Sequence, residues 1–251
     1  MRQIAYLVAL VVMTIWEGTR IVVLGWLGWR GRPGGYLDTV AQRYSRRLLK
    51  AAGVEVQVHG LEHIAPAGPQ MIACNHQSFL DIIALMACIP VRVRFVAKKE
   101  LFRVPWFGPA IRVLGHIRLD RENRKQAFVA YEVAARTLVK ERMHVVVFPE
   151  GTRSRSGLLL PFKKGPSVLA IAAGTTVVPA YCGGSFDLLP KGSILIRPHP
   201  IQLFFGPPLD ASGLTYEDRD AFTERLREAI AALRAKSVDG TNDRLKESSV
   251  Q

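Results

Sequence analysis

The sequence predicts an α/β fold: a single domain with a mixed, largely parallel sheet flanked by helices, plus an N-terminal membrane-anchoring helical segment. Three observations carry this reading. Between residues 54 and 205, short apolar runs rich in Val and Ile alternate with longer stretches of helical periodicity, the pattern of strands joined by crossover helices. The first 29 residues hold two apolar runs, 4–16 and 21–29, interrupted only by Glu17-Gly18-Thr19-Arg20. A chain of 251 residues suits one large domain with a substantial core, not two full ones.

Taken in order, residues 1–35 form the apolar anchor. An apolar run such as 4–16 falls short of the roughly 20 residues that cross a bilayer. Read through the interruption, the segment spans once with Glu17 and Arg20 paired. Read as two pieces, it is a helical hairpin lying partly in one leaflet. A signal peptide and a buried N-terminal helix are the other readings, but no small-residue cleavage site follows, which favours a retained anchor. Trp16, Trp26 and Trp29 suit an interfacial region. Because the strands begin only at Val54, removal of residues 1–30 is expected to leave the domain intact.

The domain proper is read as residues 36–236. Residues 36–52 form a basic amphipathic helix with Arg43, Arg46, Arg47 and Lys50 on its polar side, ended by Gly53. Strands are predicted at 54–58, 70–74, 93–97, 116–119, 144–148, 176–182, 194–197 and 201–205. Helices are predicted at 79–89, about 105–114, about 124–141, from Lys164-Gly165-Pro166 to Ala173, and about 217–236. The polar tail, residues 237–251, has the composition of a disordered segment.

The formal charge is +13, and residues 91–165 hold 17 Lys or Arg against 6 Asp or Glu, a net of +11. That concentration suits a phosphate-bearing partner or an anionic membrane surface; charge alone is also compatible with nucleic acid. Cys74, Cys88 and Cys182 are scattered among apolar residues without metal spacing, which points to reduced, buried thiols.

Asn75-His76-Gln77-Ser78-Phe79-Leu80-Asp81 is the stretch where a buried strand gives way to a helix. Five positions along a helix is about 140° of rotation, so His76 and Asp81 cannot face each other inside one. With His76 just before the helix and Asp81 in its first turn, the imidazole can fold back onto the carboxylate and keep its other nitrogen as a general base. The same spacing fits a capping box in which Ser78 caps the helix and Asp81 reaches back to it. A second candidate loop, Pro149-Glu150-Gly151-Thr152-Arg153-Ser154-Arg155-Ser156-Gly157, leaves a strand with an acid and two arginines and suits phosphate binding, a solvated surface loop being its alternative. Lys98-Lys99-Glu100-Leu101 and Arg118-Leu119-Asp120-Arg121 bring further cations to the same proposed sheet edge.

In this order, these stretches resemble the motif blocks of the glycerolipid acyltransferase family. Asn75 to Asp81 resembles its His-four-residues-Asp block. Lys98-Lys99-Glu100-Leu101 with Pro105, Gly108 and Asp120-Arg121 is similar to its second, Phe148-Pro149-Glu150-Gly151-Thr152-Arg153-Ser154 to its third, and Val177-Val178-Pro179-Ala180 to its fourth. The likeness covers about residues 54–209. Ile117-Arg118-Leu119 departs from the more uniformly apolar run usual before the Asp-Arg pair.

The resemblance implies acyl transfer from acyl-CoA or acyl-carrier protein to the sn-2 hydroxyl of 1-acylglycerol 3-phosphate, giving phosphatidate, with no metal and no cofactor. It implies His76 and Asp81 as the catalytic pair, with amides at the start of the following helix as oxyanion donors. Lys98, Arg121, Glu150, Gly151, Thr152 and Arg153 are implied as substrate-binding residues, Glu150 fixing the arginines or contacting glycerol. The implied partners are a lysophospholipid, the acyl donor and membrane lipid, with no nucleic acid. The implied location is the inner (cytoplasmic) membrane, with the active site on the cytoplasmic face. Acylation of another lysolipid, such as a lyso-aminolipid, is the nearer alternative. A basic peripheral membrane protein without chemistry is the farther one, and it would tolerate His76→Ala. No Gly-x-Ser-x-Gly elbow supports a hydrolase.

Overall fold

The computed structural model describes residues 2–29, 35–119, 124–197 and 199–248. The sheet is built from β1 (Val56–His59), β2 (Gln70–Cys74), β3 (Val93–Lys98), β4 (Ile117–Leu119), β5 (His144–Val147), β6 (Thr176–Gly183), β7 (Ile201–Phe205) and β8 (Leu209–Asp210). Their order is β1-β7-β6-β2-β5-β3-β4, with β8 beside β6. Every pairing is parallel except those of β6 with β7 and β8. The mixed, largely parallel sheet is therefore as the sequence predicts. β2 and β5 are buried along their whole length, because helices cover both faces of the sheet.

The pleat sorts the side chains of each central strand between two cores. On one face, Ile72, Cys74, Val146 and Val178 pack with Leu48 and Leu49 of α2 (Tyr36–Ala52) and with Leu80, Ile83 and Leu85 of α3 (Leu80–Cys88). On the other, Met71, Ala73, Val145 and Val177 meet α5 (Arg124–Lys140), α6 (Gly165–Ala173) and α8 (Arg219–Ser248) through Leu138, Leu169, Phe222, Leu226 and Ile230. α2 is pinned to β3 by a buried two-pronged ion pair, Arg94 Nη1 to Asp38 Oδ1 at 2.8 Å and Nη2 to Oδ2 at 3.2 Å. It also closes the end of α3, where Arg46 Nε donates to the Ala87 carbonyl at 3.0 Å.

The N-terminal segment departs from both anchor readings. α1 (Arg2–Trp26) is one unbroken helix, so there is no hairpin, and among the described residues no helix is long and apolar enough to cross a membrane. The polar interruption is an ion-pair node, not a turn. Glu17 is buried, with one oxygen 3.4 Å from Arg20 and the other 3.4 Å from Arg47 of α2. Nor is α1 detachable. Tyr6 belongs to the core under α2 and α3, and Ile21 packs with Leu37, Val40 and Ala41 of α2 and Ala110 of α4 (Phe107–Val113). Gly25 lets α1 come against α4, since a Cβ there would lie 2.7 Å from a Val113 methyl. The expectation that residues 1–30 can be removed without harm is thus overturned by shared core.

Two further elements differ from the sequence reading. Residues 194–197 form no strand: Ile194 and Leu195 are exposed, and the Leu195 carbonyl accepts from Ser193 Oγ rather than from a neighbouring strand. α8 runs on to Ser248, past Ser237, where composition predicts a disordered tail.

Candidate active site

β2 ends at Cys74 and α3 begins at Leu80, so residues 75–79 make a turn at the carboxyl edge of the sheet, where open α/β folds place ligands. Asn75 fixes the start of this turn to β6. Its Oδ1 accepts from the Cys182 amide at 2.7 Å and its Nδ2 donates to the Cys182 carbonyl at 3.1 Å. His76 then stacks on Phe148, ring centroids 4.0 Å apart. Its Nδ1–H donates to Asp81 Oδ2 at 2.8 Å. That bond sets the tautomer and leaves Nε2 as the acceptor.

Asp81 is fully buried and does two jobs. The same Oδ2 accepts the amides of Gln77 at 2.7 Å and Ser78 at 2.9 Å, and Ser78 Oγ accepts the Leu80 amide at 3.2 Å. The helix-start bonds of the capping reading and the His76–Asp81 contact that the catalytic reading requires therefore coexist at this spacing. A consequence follows for the oxyanion donors expected at the helix start: the Gln77, Ser78 and Leu80 amides are already committed, so these three do not serve.

The loop after β5 closes over the turn. The Ser154 amide donates to the His76 carbonyl at 2.8 Å, and Gln77 Nε2 donates to the Gly157 carbonyl at 2.7 Å. Gly151, whose amide donates to the Phe148 carbonyl at 3.0 Å, takes φ 69° and so starts the bend that carries Thr152 and Arg153. Glu150 is not placed to fix arginines or to touch glycerol. It is buried, with Oε1 accepting the His76 amide at 2.9 Å and Oε2 the Leu160 amide at 3.1 Å. Burial pushes its acid up to about 7, against the pull of those two bonds.

His76 and Arg153 line an apolar cavity of about 250 Å³ between the sheet edge and α1, α2, α3 and α4. Phe79, Phe95, Ile111 and Leu114 form much of its wall, and Thr14, Glu17, Gly18 and Ile21 of α1 complete it. Sequence reasoning favoured an anchor for α1 and missed this contribution. It also passed over His116, which lines the cavity. That ring accepts the Phe95 amide on Nδ1 at 3.1 Å, and burial, with Arg94 nearby, pushes it down to about 3, so it is neutral and committed. Among the described residues no group of three or more His, Cys, Asp or Glu is placed to hold a metal ion.

Of the implied substrate-binding residues, Gly151, Thr152 and Arg153 share the loop beside His76. Lys98 is half-exposed, 3.5 Å from Glu100, and it is its neighbours Ala97 and Leu101 that face the cavity. Arg121 lies outside the described residues. Lys191, which no sequence signal singled out, donates to Thr152 Oγ1 at 2.9 Å and to the Arg153 carbonyl at 3.4 Å.

Comparison with known proteins matches much of this chain to a family. The family model described as Acyltransferase matches residues 55–183. The chain is 34% identical over 189 residues to human 1-acyl-sn-glycerol-3-phosphate acyltransferase alpha, covering 75% of this chain and 67% of that protein. It is 31% identical over 221 residues to the 1-acyl-sn-glycerol-3-phosphate acyltransferase of Cocos nucifera, covering 88% and 70%. In fold it is similar to the crystal structure of PlsC, the 1-acyl-sn-glycerophosphate acyltransferase of Thermotoga maritima. The TM-score is 0.78 at 24% identity, over 94% of this chain and 95% of that one.

Proposed function

The chain belongs to the acyltransferase family, and from that premise we propose that it moves an acyl chain from a thioester to the sn-2 hydroxyl of 1-acylglycerol 3-phosphate, giving phosphatidate. The observation that carries the chemistry is the 2.8 Å bond from His76 Nδ1 to the buried Asp81, with the ring and Arg153 together lining an apolar cavity. His76 Nε2 takes the proton of the acceptor hydroxyl as its oxygen attacks the thioester carbonyl, and Asp81 offsets the positive charge that forms on the ring. When the C–S bond breaks, the imidazolium returns the proton to the leaving thiolate. No acyl-enzyme is needed.

Arg153 holds the acceptor phosphate on the loop shaped by Gly151 and Thr152, and Lys98 and Arg121 add to the positive field. The apolar cavity takes an acyl chain. The donor is acyl-CoA or acyl-carrier protein. The proposed location is the inner membrane, active site to the cytoplasm, and attachment to a lipid surface is supported by the outer face of α1. Val8, Val11, Val12, Ile15, Trp16 and Val23 are exposed at helical spacing, an apolar stripe on the side turned away from α2 and α4. From such a helix the lysolipid reaches the cavity without crossing water.

Mass analysis of lipid products tests this reading, using a panel of lyso-acceptors with each donor. Lysophosphatidate should give phosphatidate, and a folded His76→Ala protein should be slower by roughly 10²- to 10⁴-fold. Near-normal turnover by that variant, or preferential acylation of a lysolipid without phosphate, would sink it.

A further inference from the structure

Resting on the acyl-transfer reading, we infer that Lys191 is a second cation of the acceptor's phosphate site and a specificity-determining residue of the reaction. It stands just beyond α7 (Ser185–Leu188), outside every motif block. Its loop is closed by the Arg197 amide on the Leu188 carbonyl at 2.9 Å, and is tied to the catalytic turn by Ser78 Oγ donating to the Leu189 carbonyl at 2.7 Å. From there the ammonium reaches Thr152 Oγ1 and the Arg153 carbonyl. Two of its three N–H groups are thereby used and one is left for a ligand.

Charge is the reason to read this as more than a clamp between loops. Among the described residues, no carboxylate pairs with Lys191 or with the Arg153 guanidinium. Two cations without a carboxylate partner stand on adjoining loops, one of them bonded to the other's backbone carbonyl, and an anion between the loops would offset both. A clamp alone needs only a neutral donor.

Geometry selects the acceptor over the donor. In 1-acylglycerol 3-phosphate, the attacked hydroxyl sits on the carbon next to the phosphate-bearing one. Its phosphate must lie close to the base and at a fixed offset. In the donor, the whole pantetheine arm separates the thioester carbonyl from the nearest phosphate. Here the offset is built in. The 76–78 turn is bonded to the Arg153 loop through Ser154 and Gly157, and to the Lys191 loop through Leu189. The loops that carry base and cations form one hydrogen-bonded unit.

The test compares Lys191→Gln, Lys191→Ala and Lys191→Arg with the wild type. KM is measured for lysophosphatidate and for the donor, and Ki for glycerol 3-phosphate as a headgroup competitor. Glutamine keeps a donor toward Thr152 but no charge. It should raise the acceptor KM and the glycerol 3-phosphate Ki by roughly 10- to 100-fold, with the donor KM within about 2-fold; arginine should recover most of the loss. Combined with Arg153→Gln, the second substitution should cost less than it does alone, because both side chains hold one phosphate. A glutamine variant indistinguishable from wild type, with only alanine impaired, would reduce Lys191 to a loop clamp. A rise confined to the donor KM would assign the cations to the donor's phosphate and overturn the proposal. Calorimetric titration with glycerol 3-phosphate needs no turnover, so it separates the two readings: binding lost in Lys191→Gln upholds the phosphate site even if no acyl transfer is found, and equal binding by both proteins refutes it.

Discussion

One oxygen of Asp81 serves three donors, the His76 imidazole and the amides of Gln77 and Ser78. Asp81→Asn should therefore lower kcat by at least about 10²-fold, through the lost charge beside the imidazolium, and destabilise the fold by roughly 0.5–2 kcal/mol through the weakened helix start. Rate and melting are measured on the same protein; a melting shift without a rate loss would leave Asp81 only its capping role. Glu150 makes the pH-dependent prediction. Its acid sits at about 7 in the fold against 4.5 normally, so folding favours the protonated form. Its contribution to stability is complete below about pH 4.5 and is lost as pH rises through 7. Relative to Glu150→Gln, wild type should lose roughly 2–3 kcal/mol of unfolding free energy between pH 4 and pH 8. A difference that does not move with pH would show the carboxyl titrating as in the unfolded chain. The His76 turn was legible in sequence because strand, turn and helix lie within a dozen residues. Lys191 and the work of Glu150 were not, since their contacts reach across 39 and 74 positions. A carboxylate in a glycine-bearing loop reads as a ligand group until its burial is seen.

At the scale of elements, strand and helix positions from β1 to β6 follow the apolar periodicity closely, because buried parallel strands and their crossover helices must be apolar at those spacings. α1 is where periodicity misled. Its apolar residues divide between an inner face, with Tyr6 and Ile21 in core, and an outer one, with Val12 and Trp16 in the open. Composition cannot tell the two apart. Truncation of α1 should consequently unfold or inactivate the domain, and it does not test membrane binding. Val12→Ser with Trp16→Ser is the sharper experiment: partitioning onto neutral liposomes in high salt should fall by about 10-fold or more while the melting temperature holds. Undiminished partitioning would move the attachment to another surface.

Across the whole molecule, alternation of strands and helices foretold the α/β class but not the order of the sheet. That order sets the ends of β5 and β6 on either side of β2, and so brings residues 76, 150–154 and 191 to one edge. The net charge of residues 91–165 was equally legible, but not its allocation. Arg94 is spent on Asp38 and Lys164 on Asp220, while Arg153 keeps its charge for the cavity. The largest consequence lies in α1, which is a wall of that cavity on one side and an open apolar face on the other. In the proposed placement, enzyme and acceptor share a two-dimensional solvent. Occupancy of the site is then set by the acceptor's mole fraction in the lipid plane rather than by its amount per litre, and inert lipid added at constant bulk substrate acts as a diluent.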